Sequence, residues 1–491
     1  MEVLLSIDQG TTGTTVLALT EDLRVLGRTN IEFKQIYPRP GWVEHDPMEI
    51  WDSVVKASRT VINQLPSGAR VDGIGITNQR ETVVLWDRKT LEPVCNAIVW
   101  QDRRTAPDCE RLRAAGHEKD IRRISGLLLD PYFSGTKVAW LLKNDSTLAK
   151  RAREGHIAFG TIDSWLIAKL TNGESHVTDY TNASRTLFFN IRKLAWDTDL
   201  LKLFKIPATI LPEARPNVSD FGWTKGAGFV KDGTPITGVA GDQQSALFGQ
   251  ACFEVGAAKS TYGTGAFVLM NTGDKPIRSK SRMLTTVAWN LDGKKTTYAL
   301  EGSAFIAGGA VQWIRDGLGL INAAREIEAL ANEVPDSGEV VFVPALSGLG
   351  APHWNPDARG LICGITGGTT RAHIARATLE GIAFQVADLL TAMEADSKIK
   401  LKEIKVDGGA CANNLLMQFQ SDIVGRKVVR PEMIETTALG AAFLAGIGIG
   451  MWKDTSAVKK LWKQDKVFTP KFSARERNTR LERWHNAARR A

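Results

Sequence analysis

Residues 3–19 read VLLSIDQGTTGTTVLAL, two short apolar runs separated by a turn of glycine and threonine. Apolar runs of this length with β-branched residues are typical of buried strands, and the short polar turn between them predicts a β-hairpin. A turn of small residues lets backbone N–H groups and hydroxyls approach an anion closely. Asp8 ends the first run, where its carboxylate could hold a hydrated Mg²⁺ beside phosphate groups. An ordinary surface hairpin with a polar turn would have the same local sequence.

A second stretch, residues 258–270, repeats the order of strand, Gly/Thr turn and strand in the sequence AKSTYGTGAFVLM. This repeat indicates two related halves, each with a hairpin that faces phosphates. A chain of 491 residues also exceeds the size at which a single core stops growing, so two domains are expected. We place the boundary at Gly249, which predicts an N-terminal domain of residues 1–249 and a C-terminal domain of residues 250–491.

Polar residues follow the ends of several further predicted strands. The segments TNQRET, QDRR and GDQQ come directly after predicted strands at residues 71–76, 97–100 and 235–240. Residues 371–393 have helical periodicity, and residues 404–406 form a predicted strand that leads through DGGACANN into a helix. Such a junction can place helix N–H groups against a ligand, although a plain βα turn has the same pattern. Strands that alternate with helices predict an α/β architecture with a ligand crevice beyond the strand ends.

The composition narrows the functional classes. A net charge of +8 suits anionic ligands, but the one basic concentration, residues 466–490, is more typical of a solvated helix face than of a nucleic-acid arm. No nucleic-acid-binding signature accompanies it, so no nucleic-acid partner is expected. The five cysteines form no C-x-x-C pair and the N-terminus lacks a secretory signal, which predicts a cytoplasmic location. No apolar stretch is long enough to cross a bilayer, so we expect no membrane insertion.

Taken together, these motifs resemble the glycerol kinase family, carbohydrate kinases that share the actin and hexokinase ATPase fold. The resemblance runs from about residue 5 to beyond residue 445 and is most specific in four stretches: GWVEHDP (41–47), GITNQRET (75–82), DPYFSGTK (130–137) and VTDYTNASRT (177–186). It implies an α/β fold of two actin/hexokinase-like (ribonuclease H-like) domains with the active site in the cleft between them. It also implies ATP- and Mg²⁺-dependent phosphorylation of glycerol to sn-glycerol 3-phosphate.

The resemblance assigns roles to residues at matching positions. We take Asp242 as the general base that removes the hydroxyl proton, with Asp8 holding Mg²⁺ through water and Asp242 as a further candidate metal ligand. Glycerol is expected to contact Arg80, Glu81, Trp100, Tyr132, Asp242, Gln243 and Phe267. The phosphates of ATP are expected to contact Thr11, Thr12, Gly13 and Thr264, and its adenosine side Gly308, Gln312, Gly409 and Asn413.

Two alternatives to glycerol phosphorylation stay open on the sequence alone. A kinase of a related small polyol or ketose would share most of the motifs, and a regulatory ATPase that binds nucleotide without transferring phosphate would share the fold. The adjacent Arg80 and Glu81 favour glycerol, and Asp242 favours phosphoryl transfer. We expect a homo-oligomer, a dimer or a tetramer. Residues 13–15 read GTT where the family usually has Ser-Ser-Arg, so a change in nucleotide affinity or turnover is expected.

Overall fold

The computed structural model describes residues 1–491, which form 22 strands and 16 α-helices. The strands are, in chain order, β1 (Glu2–Gln9), β2 (Gly13–Leu19), β3 (Val25–Glu32), β4 (Glu44–His45), β5 (Arg70–Asn78), β6 (Val84–Asp87), β7 (Ala97–Ile98), β8 (Ile157–Gly160), β9 (Val177–Asp179), β10 (Phe189–Asn190), β11 (Ala195–Trp196), β12 (Glu213–Arg215), β13 (Ile236–Gly241), β14 (Ala258–Tyr262), β15 (Ala266–Gly273), β16 (Leu284–Asn290), β17 (Thr296–Ala304), β18 (Val341–Val343), β19 (Leu361–Cys363), β20 (Glu403–Asp407), β21 (Lys427–Pro431) and β22 (Gln464–Phe468). The helices are α1 (Pro47–Asn63), α2 (Ala106–Ala114), α3 (Glu118–Ser125), α4 (Ser134–Asn144), α5 (Ser146–Arg153), α6 (Ile162–Leu170), α7 (Tyr180–Ala183), α8 (Thr198–Phe204), α9 (Asp242–Gly249), α10 (Gly308–Asp316), α11 (Glu326–Ala331), α12 (Arg371–Ser397), α13 (Asn414–Val424), α14 (Thr436–Gly448), α15 (Thr455–Leu461) and α16 (Ala474–Ala488). None of the helices combines the length and the apolar content that crossing a membrane requires.

Two mixed sheets with the same internal strand pattern form the framework. The first sheet has the order β13-β5-β1-β2-β3, and the second sheet has the order β16-β17-β15-β14-β20-β21-β22. In the first sheet β1, β2 and β3 are antiparallel neighbours, while β5 and β13 run parallel to β1. In the second sheet β14, β15 and β17 repeat the antiparallel run, and β20 and β21 repeat the parallel pair. The two halves are therefore built alike, as the sequence repeat predicts.

Most of the predicted elements are present, with one instructive difference. Both Gly/Thr hairpins form, and the helix predicted over residues 371–393 continues to Ser397 as α12. The strand predicted over residues 97–100 is wrong in length, because β7 ends at Ile98. It pairs with β4 and, at Ile98, with Val83, and lies outside both main sheets. The chain turns at this point, since the carbonyl of Val99 accepts a hydrogen bond from the amide of Asp102.

Helix α14 lies in the chain between β21 and β22 of the second sheet but packs against the first. A methyl group added to Gly75 of β5 would overlap the carbonyl oxygen of Ala441, and one added to Gly238 of β13 would overlap the backbone nitrogen of Ala445. Glycine is needed at both positions because the helix backbone lies directly on the sheet. Residues from both halves, among them Leu4, Leu17, Phe248, Leu439 and Phe443, share one buried apolar cluster around this helix. The packing of α14 therefore joins the two halves.

Candidate active site

The carboxyl ends of three parallel strands place the first acidic groups of the site. Across the first sheet, Asp8 of β1 pairs in register with Thr77 of β5, and Thr77 pairs with Ala240 of β13. Asp242 begins α9 immediately after β13. Burial and the charge of Asp242 raise the pKa of Asp8 to about 7. The charge of Asp242 thus acts on the carboxylate of Asp8 at this edge of the sheet.

Arg80 links this edge to the second sheet. Its Nε lies 3.0 Å from Oδ1 of Asp242, and its Nη1 and Nη2 donate to the two carboxylate oxygens of Glu301, in β17, at 2.6 and 2.8 Å. The side chains of Arg80 and Glu301 are 2% and 3% exposed, whereas that of Asp242 is 29% exposed. Asp242 is therefore the member of this group that solvent, and so a substrate, can reach.

Glu81 is held from the opposite side by a second arginine. Nε of Arg185 donates to Oε1 of Glu81 at 2.6 Å, and its Nη2 donates to Glu301 at 3.0 Å. Burial raises the pKa of Glu81, despite both guanidinium groups, and also opposes ionisation of Glu301, whose pKa Arg185 and Arg80 nevertheless lower to about 2. Glu81 also has a φ of 63°, which costs a non-glycine residue about 1–3 kcal/mol and is characteristic of functional sites.

Two aromatic side chains stand beside this charge cluster. The rings of Trp100 and Tyr132 pack edge to face with centroids 5.5 Å apart, and the indole N–H of Trp100 donates to Oγ1 of Thr11 at 2.9 Å. The buried Lys137 fixes the backbone before α4 by donating to the carbonyls of Pro131, Tyr132 and Phe133. Trp100 therefore connects the first Gly/Thr hairpin to Tyr132, one of the predicted glycerol residues.

The second sheet turns one face toward Arg80 and Gln243. Glu301 lies opposite Leu269, Leu269 lies opposite Lys259, and Phe267 lies opposite Thr261, so these side chains share a face. From this face Lys259 donates to Oε1 of Gln243 and to Oγ1 of Thr261. Register thus places Phe267 on the side of the sheet that meets the first half of the chain, where it is partly exposed.

The predicted phosphate residues fall at the tips of the two hairpins. Thr12 is exposed at the first tip, whereas Gly13 is buried in β2, where a methyl group would come within 2.9 Å of the Ile31 carbonyl. At the second tip the carbonyl of Thr264 accepts hydrogen bonds from the amides of Ala307 and Gly309 at 2.7 and 3.0 Å. No hydrogen bond joins one hairpin to the other.

The predicted adenosine residues gather at one edge of the second sheet. Gly308 begins α10, and its amide donates to the carbonyl of Gly263 in the second hairpin at 2.9 Å, while Gln312 is exposed one turn further along. Gly409 follows β20 with open space where a side chain would stand, and Asn413 caps α13 by accepting from the Leu416 amide at 2.8 Å. Because β14 and β20 are parallel neighbours, their carboxyl ends bring these groups to the same edge.

Sequence reasoning missed three charged residues of the cluster: Arg185, Glu301 and Lys259. Arg185 lies in the stretch 177–186 that carries the family resemblance, which was the one available signal. Glu301 is 221 positions from Arg80, and nothing in its local sequence marks it. A cavity of about 890 Å³ lies among α2, α4, α5 and α8, away from the charge cluster, and contains none of the predicted site residues.

Asp8 and Asp242 have the donor set of a magnesium site of the kind found in phosphoryl transfer. No side chain or backbone amide of the protein donates a hydrogen bond to the carboxylate of Asp8. The negative charge of Asp242 raises the pKa of Asp8, and a cation near both groups would offset this repulsion. The chain holds no cluster of three or more His, Cys, Asp or Glu side chains suited to a metal. Mg²⁺ in such enzymes needs only one or two carboxylates, because water and substrate phosphates complete its shell.

Comparison with known proteins gives one consistent result. Residues 3–249 match the N-terminal domain, and residues 258–449 the C-terminal domain, of the FGGY family of carbohydrate kinases. The chain is 54% identical over 485 residues to a glycerol kinase of Bdellovibrio bacteriovorus, covering 99% of this chain and 98% of the relative. It is 53% identical over 494 residues to glycerol kinase 2 of Thermotoga maritima, covering 100% and 99%. The crystal structure of Plasmodium falciparum glycerol kinase with ADP superposes with a TM-score of 0.95 at 40% identity, covering 100% of this chain and 98% of that one.

Proposed function

The chain belongs to the FGGY family of carbohydrate kinases, and we propose that it catalyses ATP-dependent phosphorylation of glycerol to sn-glycerol 3-phosphate. The proposal is carried by full-length similarity to glycerol kinases, which extends through every stretch that supplies the site. The site is consistent with it, since Arg80 lies against the carboxylates of Glu81 and Asp242, and the rings of Trp100 and Tyr132 pack together at the same site. Such a donor and acceptor set suits a small triol, which must be recognised through its hydroxyl groups.

Asp242 acts as the base in this reaction. Nε of Arg80 lies against Oδ1 of Asp242, and the backbone N–H of Gln243 donates to the same oxygen at 2.7 Å. Oδ2 is therefore left to accept a proton. The oxygen of a terminal glycerol hydroxyl attacks the γ-phosphorus of ATP, a new O–P bond forms, and the bond to the β–γ bridging oxygen breaks. The hydroxyl proton passes to Asp242 and ADP leaves. A base placed in this way contributes about 10²–10⁴-fold to the rate.

The remaining predicted residues align the substrates and exclude water. Arg80, Glu81, Tyr132 and Gln243 bind the hydroxyl groups of glycerol, while Trp100 and Phe267 cover its carbon edge. The two hairpins, Gly308 and Gln312 of α10, and Gly409 and Asn413 just before α13 bind ATP. Asp8 and Asp242 would hold Mg²⁺, partly through water. When bound, this ion neutralises charge on the phosphates. Enclosure between two domains keeps water from competing with glycerol as the acceptor.

An assay of ADP release over a panel of polyols and ketoses tests this function. We expect turnover with glycerol to exceed turnover with every other acceptor, and to disappear when Mg²⁺ is chelated. A site built to bind a hydroxyl rejects an analogue that lacks it by about 10⁴–10⁵-fold, so propane-1,2-diol is the matched control. ATP hydrolysis that no polyol changes would instead support a regulatory ATPase, and preference for a ketose would support the related-kinase alternative.

Three further expectations belong with this function. We propose that the boundary between the two domains is at Gly249, so that the N-terminal domain comprises residues 1–249 and the C-terminal domain comprises residues 250–491. We also propose a cytoplasmic location, which fits the use of ATP and the presence of five free cysteines. The expected homo-oligomer, a dimer or a tetramer, is open to measurement by analytical ultracentrifugation of the purified protein.

A further inference from the structure

Two charged side chains of the second sheet reach across to residues that the proposed function assigns to glycerol. Glu301 of β17 binds Arg80, and Lys259 of β14 binds Gln243. Arg80 follows β5 of the first sheet and Gln243 lies in α9, directly after β13. Both contacts are buried, and neither is needed to hold its own strand in the sheet, because the backbone pairing of β14 and β17 does not involve these side chains.

We propose that Glu301 and Lys259 are positioning residues for glycerol, which fix the side chains of Arg80 and Gln243 from the opposite half of the chain. The glycerol site is then completed by both halves. This inference rests on the proposed function, because it assumes that Arg80 and Gln243 bind the acceptor.

Glu301 determines how the guanidinium group of Arg80 is shared. Its two oxygens accept from Nη1 and Nη2, while Nε faces Asp242 at 3.0 Å. Nη1 has one further partner, Oε1 of Gln244 at 3.1 Å, but this neutral oxygen alone does not replace the paired contact with a carboxylate. A guanidinium group prefers to bind a carboxylate through two parallel N–H groups. Without Glu301, Arg80 would be free to turn and bind both oxygens of Asp242, which would remove Arg80 from glycerol and occupy the base.

Glu301 also aligns a second arginine. Arg185 donates to Glu301 through Nη2 and to Glu81 through Nε, so one carboxylate orients both guanidinium groups that border Glu81. Removing the charge of Glu301 would leave two buried arginines with fewer partners, in a region where unpaired charge is costly. Loss of Glu301 should therefore disturb the acceptor site more than the nucleotide site.

Lys259 sets the orientation of the side-chain amide of Gln243. Its ammonium group donates to Oε1 of Gln243, so the Nε2 group of the amide is the part left free to donate to a hydroxyl. The lysine is completely buried, yet its direct partners are the neutral oxygens of Gln243 and Thr261 and not a carboxylate. Unlike the buried Lys405, which donates to a backbone carbonyl, Lys259 donates to the side chain of a residue assigned to glycerol, and this contact is what gives it a role in the site.

Steady-state kinetics of Glu301→Gln and Lys259→Met test the proposal, with two matched controls. Glu254→Gln removes a carboxylate that also binds two cations, Lys459 and Lys402, but at the surface. Lys405→Met removes a buried lysine that lies opposite Lys259 in β20 and donates to the Gln250 carbonyl. In the test variants we expect the KM for glycerol to rise about 10-fold or more while the KM for ATP changes less than about 3-fold.

A second readout separates positioning from a general structural role. If the acceptor is misplaced, water reacts in its stead, so the ratio of ADP released to glycerol phosphate formed should rise above one in Glu301→Gln and Lys259→Met only. Glu301→Asp keeps the charge and should recover part of the glycerol KM. Thermal unfolding of each variant identifies any that does not fold. If Glu301→Gln does not fold, the glycerol KM and the product ratio of Lys259→Met are compared with those of Lys405→Met.

The outcomes distinguish this inference from the proposed function. Wild-type protein that shows no glycerol-dependent ADP release would contradict the function itself. Active wild-type protein whose test variants keep the wild-type glycerol KM and a ratio of one would overturn the inference alone. A parallel rise of both KM values, in test and control variants alike, would overturn it as well.

Discussion

Asp242 is the one carboxylate of the central charge cluster that a substrate can reach, since its side chain is 29% exposed and those of Glu81 and Glu301 are 1% and 3% exposed. In Asp242→Asn the side chain keeps its shape but can no longer accept the hydroxyl proton. We expect kcat to fall by about 10²-fold or more. The affinity for ATP, measured by calorimetry in the absence of glycerol, should stay within a few-fold of wild type. Near-normal turnover of this variant would exclude Asp242 as the base.

Arg80 combines a role in binding with a role in stability. Arg80→Ala removes a proposed glycerol ligand and leaves the buried Glu301 and Glu81 with Arg185 as their common cation. Breaking a buried pair of this kind destabilises a protein by about 3–5 kcal/mol. We expect the urea concentration at the unfolding midpoint to fall and the KM for glycerol to rise.

Arg103→Ala is the matched control for that change. Arg103 pairs with Asp130 at 2.8 Å, but its side chain is 55% exposed, and such surface pairs contribute at most about 1 kcal/mol. If the Arg80 and Arg103 substitutions lower the unfolding midpoint equally, the buried ion pairs of Arg80 contribute no more to stability than a surface pair.

The residues that sequence could identify share a local signal, and those it missed do not. Asp8, Arg80 and Asp242 stand just beyond apolar strand runs, so the pattern of hydrophobicity points to them. Glu301 and Lys259 lie inside strands, and their partners come from a different sheet. Only the packing of the two halves brings them into the site, and a single sequence carries no record of that packing.

At the level of elements, helices α9 and α14 touch through glycines. A methyl group added to Gly440 of α14 would overlap the carbonyl oxygen of Ser245 in α9, and backbone atoms cannot move aside as a flexible side chain can. Overpacking of this kind typically costs about 1–3 kcal/mol. We therefore expect Gly440→Ala to lower the thermal unfolding midpoint, and to reduce activity because α9 begins with Asp242.

Gly367→Ala provides the control for Gly440→Ala. Nothing lies within 4 Å of the position that a methyl group would occupy at Gly367, and the residue needs no left-handed backbone. The same substitution should therefore leave stability unchanged there. A stable Gly440→Ala protein would show that the two helices can separate without loss.

The C-terminal helix α16 is held to α12 by a carboxylate with three partners. Asp388 of α12 accepts from Trp484 at 2.7 Å and from His485 at 2.8 Å, and it also binds His353 at 2.7 Å. The hydrogen bond to Asp388 raises the pKa of His485 above 6.5. A raised pKa means that the protonated histidine stabilises the folded state below pH 6.5, and that this contribution is lost as the pH rises through the folded-state pKa.

His485→Gln tests this contact through its pH dependence. The difference in unfolding midpoint between wild type and His485→Gln should be largest near about pH 6 and should shrink by about pH 9. Trp484 continues to anchor the helix at every pH, because its ring stacks on Phe384 with centroids 5.1 Å apart. A difference that does not vary with pH would contradict the assignment of the charge to His485.

Elements were predictable where their local sequence was sufficient. Both hairpins follow from apolar runs around a glycine-rich turn, and the helix predicted after DGGACANN is present as α13. The placement of β7 outside both main sheets was not predictable, because residues 97–100 have the composition of a central strand. Pairing partners, and not propensity, decided its position.

Over the whole molecule, the two halves depend on each other for their cores. Helix α14 comes from the second half, yet Ser6 of β1 donates to the carbonyl of Ala438 at 2.6 Å, and Leu4, Leu17 and Phe248 share an apolar cluster with Leu439. The boundary proposed at Gly249 therefore separates the sequence more cleanly than it separates the structure.

This dependence leads to a prediction for the separate halves. Residues 1–249 expressed alone would expose the apolar side chains of the first sheet that α14 covers, among them Leu4 and Leu17, and exposed apolar patches promote aggregation. We expect this fragment to aggregate or to unfold without a cooperative transition, and co-expression with residues 250–491 to restore a soluble, folded complex. Because most of the glycerol residues lie in the first half, while Phe267 and Glu301 lie in the second, only the complex should bind glycerol in calorimetry. A cooperative thermal transition of the isolated, monomeric fragment would show that the first sheet does not need α14.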